Sequence, residues 1–187
     1  MSEVVDAYVG HSRTNAILAL GERVRASLNL QGNDLDVELA VRKLGGTVQY
    51  VHNLDPHAQG VIDRLGNKEF RIQLSEDIPE ERRKFATAHM LGHVFLDMQY
   101  LDGTVWDTQT TYRDSVAYRA GHSSEERDAN LFAFSFLMPK EAFTQVAEQN
   151  VMRGITNQYL LGPIAKAFGV PIDTAKMRGQ NLWLFAL

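Results

Sequence analysis

The sequence has no cysteine in its 187 residues. That excludes disulfide scaffolds, thiolate zinc sites and cysteine nucleophiles together, and it suits a reducing cytoplasm. It also lacks any run of eighteen apolar residues, so no transmembrane helix is expected. Its longest apolar stretch, Leu131 to Met138, is short and interrupted by Ser135. The opening residues MSEVVDAYVGHSR contain neither a basic n-region nor an apolar h-region. They do not read as a secretory signal, and a cytoplasmic protein without membrane association is expected. Nor is there an excess of positive charge. Lys and Arg number 19 against 23 Asp and Glu, for a net charge of −4, which gives no general surface for nucleic acid. Only five prolines occur, and no low-complexity tract or internal repeat divides the chain.

What is present is ordinary globular composition, 44% hydrophobic and 22% charged, at a length suited to one buried core. Thr14 to Asn29 carries Ile17, Leu20, Gly21, Val24 and Leu28 at helical spacing. Leu35 to Leu44 reads as a shorter helix, with Asn33 or Asp34 as cap and Gly45-Gly46 as stop. The period then changes. Thr47–His52, Ala58–Asp63 and Glu69–Leu74 read as strands, with turn signals at Asp55-Pro56 and Gly66-Asn67. Asp77, Pro79 and Glu80 predict the start of a helix reaching about Met98, with Asp77 as its cap. The segment from Tyr100 to Ser124 shows little periodicity, and connections of that length tend to be functional or mobile. An apolar helix over Glu125–Met138 stops at Pro139, and helices are expected at about 141–152, 157–168 and 172–178. The pattern predicts a single α+β domain over residues 14–187 behind a polar extension, residues 1–13.

His89 and His93 stand four apart on a predicted helix. They share one face, about 40° apart around the axis and ~6 Å along it. Two imidazoles so placed can converge on one Zn²⁺, although six histidines can produce such a pair by chance. A third ligand is needed, and acids open the next apolar helix. Glu125 and Glu126 both fall on the arc of Ala129, Phe132, Ala133 and Phe136, whereas Asp128 points the other way. Periodicity does not choose between the two glutamates. Asp97, four residues after His93, is placed to hold that imidazole from behind. His122 lies in the loop before the acids, and His11, His52 and His57 have no ligand spacing.

Two segments carry a resemblance. Lys84-Phe85-Ala86-Thr87-Ala88-His89-Met90-Leu91-Gly92-His93 is similar to the R-F-x-x-A-H-E-x-G-H helix of the ImmA/IrrE family of zincin-like metallopeptidases. Glu126 to Pro139, with Ala129, Asn130, Phe132, Ala133, Leu137 and Met138, is similar to that family's E-x-x-A-N-x-F-A-x-x-L-x-M-P helix. The resemblance implies a minimal zincin-like fold, with helices around a small three-stranded sheet and a helical carboxy-terminal part. It also implies zinc on His89, His93 and Glu126, with Asn130 supporting the site from behind. One position departs. The family's catalytic glutamate follows the first histidine, and here that residue is Met90. Methionine cannot take and return a proton, a service generally worth about 10²–10⁴-fold in rate.

The resulting expectation is a zinc-binding, hydrolytically impaired relative that acts on or binds a helix-turn-helix repressor of a phage, a mobile element or a stress response. Two alternatives stand beside it. One is an active zinc endopeptidase with another base. The other is a DNA-binding regulator using Asn157 to Arg178, where Gly169-Val170-Pro171 separates two predicted helices. Only Lys166, Lys176 and Arg178 supply positive charge there, little for a phosphate-binding face.

Overall fold

The computed structural model describes residues 2–52, 54, 58–115, 124–153 and 158–185. Helix α1 (Ser2–Ser27) begins well ahead of Thr14, so the polar start continues the helix. Helix α2 (Val37–Lys43) is capped by Asp36, whose Oδ1 accepts from Leu39 N at 2.9 Å, rather than by Asn33 or Asp34. Gly45 then turns the chain into the sheet at φ +85°, a region glycine enters without strain.

Three strands follow as expected: β1 (Gly46–Val51), β2 (Ala58–Arg64) and β3 (Phe70–Ser75). The turn signal at Asp55-Pro56 lies outside the described residues. The β2–β3 hairpin closes at Leu65 and Gly66, whose N–H groups both donate to the Glu69 carbonyl. The sheet has a fourth strand, β4 (Thr111–Ser115), and the order β1-β3-β2-β4. β1 runs parallel to β3, and the other pairings are antiparallel. In β3 the side chains alternate, with Phe70, Ile72 and Leu74 buried. On the other face Asp63 accepts from Arg71 Nη2 at 3.0 Å and Gln73 Nε2 at 2.7 Å, which ties β2 to β3 on the polar side of the ladder.

The fourth strand corrects the expectation of a three-stranded sheet, and it arises within the aperiodic segment Tyr100–Ser124, expected to be a functional or mobile loop. Much of that segment is pinned. Trp106 is fully buried edge-on to Phe70, and its Nε1 donates to Asn67 O at 2.6 Å. The Tyr100 hydroxyl donates to Leu44 O at 2.8 Å.

Helix α3 (Glu80–Leu96) starts two residues later than its capping signal. Pro79 is the N-cap, while Asp77 N donates to Ser75 Oγ in the preceding turn. Helix α4 (Ser124–Leu137) lies between α3 and α1 and is buried nearly all round. Its last carbonyls are met by arginines. Arg25 Nη1 donates to Phe136 O at 3.1 Å and Leu137 O at 2.8 Å, and Arg178 Nε donates to Met138 O at 2.9 Å. Both guanidiniums are buried, and they complement the negative end of the helix.

Helix α5 (Lys140–Gln149) is followed by a two-residue ladder, β5 (Val151–Met152) with β6 (Gln158–Tyr159). The ladder replaces the start of the helix expected from Asn157, a residue that itself lies outside those described. Helices α6 (Leu161–Phe168) and α7 (Ile172–Asn181) complete the chain. Among the described residues no helix is long and apolar enough to cross a membrane.

Close approach sets the geometry at the centre. A Cβ on Gly92 would lie 2.8 Å from Ala129 Cα and 2.9 Å from Ala129 O, so α3 and α4 touch backbone to backbone. Gly21 of α1 does the same against Phe132 O on the other side of α4, at 2.8 Å. Gly92→Val is expected to destabilise the fold by about 2–3 kcal/mol through overpacking, read as a lower urea midpoint with unchanged m.

Candidate metal centre

The site is built where α3, the N-terminal turn of α4 and the β4 edge meet. His89 and His93 are on the face of α3 turned towards α4, and both are buried. Each ring is fixed from behind. His89 Nδ1 donates to Asn130 Oδ1 at 3.0 Å, and His93 Nδ1 donates to Asp97 Oδ2 at 2.7 Å. These bonds select the tautomers that leave both Nε2 lone pairs facing inward. There the two Nε2 atoms are 3.0 Å apart.

Glu126 enters from the first turn of α4. Its Oε2 is 3.3 Å from His89 Nε2 and its Oε1 is 3.3 Å from His93 Nε2. One turn of helix separates it from Asn130, which is why a single face of α4 supplies both the carboxylate and the support for His89. Glu125, next to it, is exposed. The structure therefore brings His89, His93 and Glu126 together, with Asn130 and Asp97 behind the imidazoles.

Asp114 of β4 was not foreseen from the sequence. It is 2% exposed, and its Oδ2 is 3.6 Å from His89 Nε2. The period of two along a strand explains its aim. Tyr112 and Asp114 share a face, Tyr112 stacks on His93 with centroids 4.7 Å apart, and Asp114 reaches His89. The one signal for it was the alternation of Tyr112 and Asp114 inside a segment that otherwise reads as loop.

Charge in this cluster is unbalanced without a cation. Burial by itself favours the neutral imidazole, but Asp114 and Glu126 outweigh it and hold His89 above its ordinary pKa. His93 is likewise pushed up to about 9, where burial is outweighed by Asp97 and Glu126. Burial disfavours ionised Glu126, yet the two imidazoles prevail and keep its carboxyl well below the usual range. Carboxylates that draw protons onto buried imidazoles would equally draw a divalent ion, which displaces those protons. His89, His93, Asp114 and Glu126 each present one ligand atom, all within 4.8 Å of one another. Nitrogen and carboxylate ligands at about 2.0–2.1 Å in a tetrahedron lie ~3.3 Å apart, so the donor set fits such an ion.

Met90 is 1% exposed and belongs to the core. A Cβ on Gly60 of β2 would lie 2.5 Å from its Sδ, so the thioether occupies the space that this glycine leaves. Other sequence expectations fall elsewhere. Asp128, expected to point away from the core, is buried because α1 covers that side, and its Oδ2 accepts from Arg13 Nε at 2.7 Å. His52 pairs with Glu76 at the surface. His57 and His122 lie outside the described residues, as does the His11 side chain. Among the cations of the carboxy-terminal helices, Arg178 is buried against Met138 O and Glu22, so it is not available to phosphate.

Comparisons with known proteins identify the family and the fold. The profile of a peptidase family described as the IrrE N-terminal-like domain matches residues 33–179. No protein of curated function matches the chain. Among solved structures, a Mycobacterium tuberculosis transcriptional regulator is similar, at 22% identity and a TM-score of 0.55. The alignment covers 89% of this chain and 48% of that one, so this chain spans about half the regulator's length. The likeness is one of fold, a minimal zincin-like α+β domain.

Proposed function

Because the chain belongs to the IrrE N-terminal-like peptidase family, we propose that it is a zinc-binding member whose hydrolytic activity is lost or much reduced. The observation that carries this reading is the convergence of two imidazoles and a carboxylate beside a missing base. Both imidazole Nε2 atoms stand 3.3 Å from oxygens of Glu126, while the residue after His89 is a methionine packed into the core. His89, His93 and Glu126 would hold the ion, with Asn130 and Asp97 fixing the rings. Zn²⁺ suits two imidazoles and a carboxylate and, when bound, supplies Lewis-acid character. Met90 can neither accept the proton of an attacking water nor return it to a leaving amine, which costs the base's share of about 10²–10⁴-fold.

Such a protein acts by binding. The family resemblance supports a helix-turn-helix repressor, or a peptide segment of one, as partner. Fold likeness to a transcriptional regulator is compatible with a regulatory setting. A cysteine-free chain suits the cytoplasm. Direct DNA binding is disfavoured, since burial of Arg178 leaves only Lys166 and Lys176 at the proposed recognition segment.

Metal analysis after zinc loading and desalting is expected to find one ion per wild-type chain and none in His89→Ala. Zinc-loaded wild type is expected to leave a denatured protein substrate and a mixed peptide library uncleaved. Unchanged zinc in His89→Ala would overturn the ligand assignment, and rapid cleavage by wild type would overturn the impairment. Asp97→Ala should keep one ion per chain but bind it about 10–100-fold more weakly, measured by competition with a chelating dye.

A further inference from the structure

The proposed ligand set leaves one buried group unexplained. Asp114 is almost completely buried, and its Oδ1 has no hydrogen-bond partner among the described residues. Burying a carboxylate oxygen without a partner is costly, and a cation placed there would supply one. Asp114 cannot simply turn outward, because the β2–β4 ladder pairs Gly60 with Asp114, Ile62 with Tyr112 and Asp63 with Thr111. The backbone of β4 is thereby held against the sheet with the carboxylate aimed at His89.

We propose that Asp114 is the fourth protein ligand of the metal, so that the centre is closed on every side by His89, His93, Glu126 and Asp114. This rests on the metal-binding reading above and adds to it the loss of the open coordination position. The Asp114 Oδ2 to His89 Nε2 separation, 3.6 Å, belongs with the 3.0 Å and 3.3 Å separations among the other three donors. These four are near the ~3.3 Å edge of a tetrahedron of 2.0–2.1 Å bonds, and one ligand atom from each of the four residues lies within 4.8 Å of the others. A carboxylate serving as replacement base would act across a bound water and stand further out. Closed four-ligand sites are structural, whereas catalytic zinc sites keep a position for water or substrate.

The two departures from a hydrolytic site meet at one cross-strand pair. Gly60 faces Asp114 across the ladder, and the space left by its absent Cβ is filled by the Met90 thioether. On one side of the pair a base is replaced by apolar packing. On the other a carboxylate takes the vertex where water would sit. Metal would then join α3, α4 and the sheet edge as a staple, its binding free energy adding to that of folding.

The test uses the full chain loaded with Co²⁺ as a spectroscopic probe and with Zn²⁺ for affinity. Wild type is expected to show a four-coordinate visible spectrum that does not change on adding azide or acetohydroxamate. Asp114→Asn, close in shape and a weaker ligand, is expected to keep one ion per chain with a dissociation constant raised at least tenfold. It should also gain a spectral response to azide. A wild-type spectrum that shifts with azide would overturn the proposal, and this measurement needs no variant to fold. Equal zinc affinity in wild type and Asp114→Asn would overturn it too, leaving the three-ligand reading intact. Wild type that takes up no ion at all would overturn both.

Discussion

The arrangement depends on one contact, the backbone-to-backbone meeting of α3 and α4 at Gly92 and Ala129. A Cβ at residue 92 would lie 2.8 Å from Ala129 Cα, closer than contact allows, so the two helices would have to shift apart. The separations of 3.3 Å between Glu126 and the two imidazoles would then open. Gly21 repeats the device on the other side of α4, so that helix is clamped between two close neighbours. Its carboxyl end is held by Arg25 and Arg178. These contacts fix α4 along its length and about its axis, and Glu126 inherits that placement.

Electrostatics then decide what the site is for. Three acidic groups, Asp97, Asp114 and Glu126, stand around two imidazoles, each within 3.6 Å of an imidazole nitrogen. Without a cation the site must take up protons, which is why both histidines are held above their ordinary pKa against the pull of burial. A divalent ion answers the same field with one charge centre. Metal affinity and proton affinity are alternatives here, and neither draws on the residue at position 90.

Under the proposed function, that independence is what would let binding outlast catalysis. A base in a metallopeptidase is held beside the metal but does not bind it, so its replacement leaves the ligands in place. Met90 goes further than a neutral replacement, because it is integrated into the core against Gly60. Position 90 has become part of the packing between α3 and the sheet.

How much of this was legible in the sequence depends on the range of the interactions. Helical periodicity is local, so the amphipathic faces of α3 and α4, the histidine pair and the choice of α+β architecture could be read directly. The two motifs that resemble the ImmA/IrrE family singled out Glu126 over Glu125, a choice that periodicity left open, and the geometry then brought Glu126 between the histidines. What could not be read were partners far apart in the chain. Asp128 seemed to face solvent because nothing local indicates that α1 packs over it, and β4 looked like loop because its five polar residues become a strand only by completing the edge of β2. Asp114 follows from β4. The sequence by itself determined which groups could bind a metal and that the usual base was absent. Only the tertiary structure decided that an aspartate from a distant strand would meet them, because a side chain's reach is a few ångströms and chain folding alone brings residue 114 within that distance of residue 89.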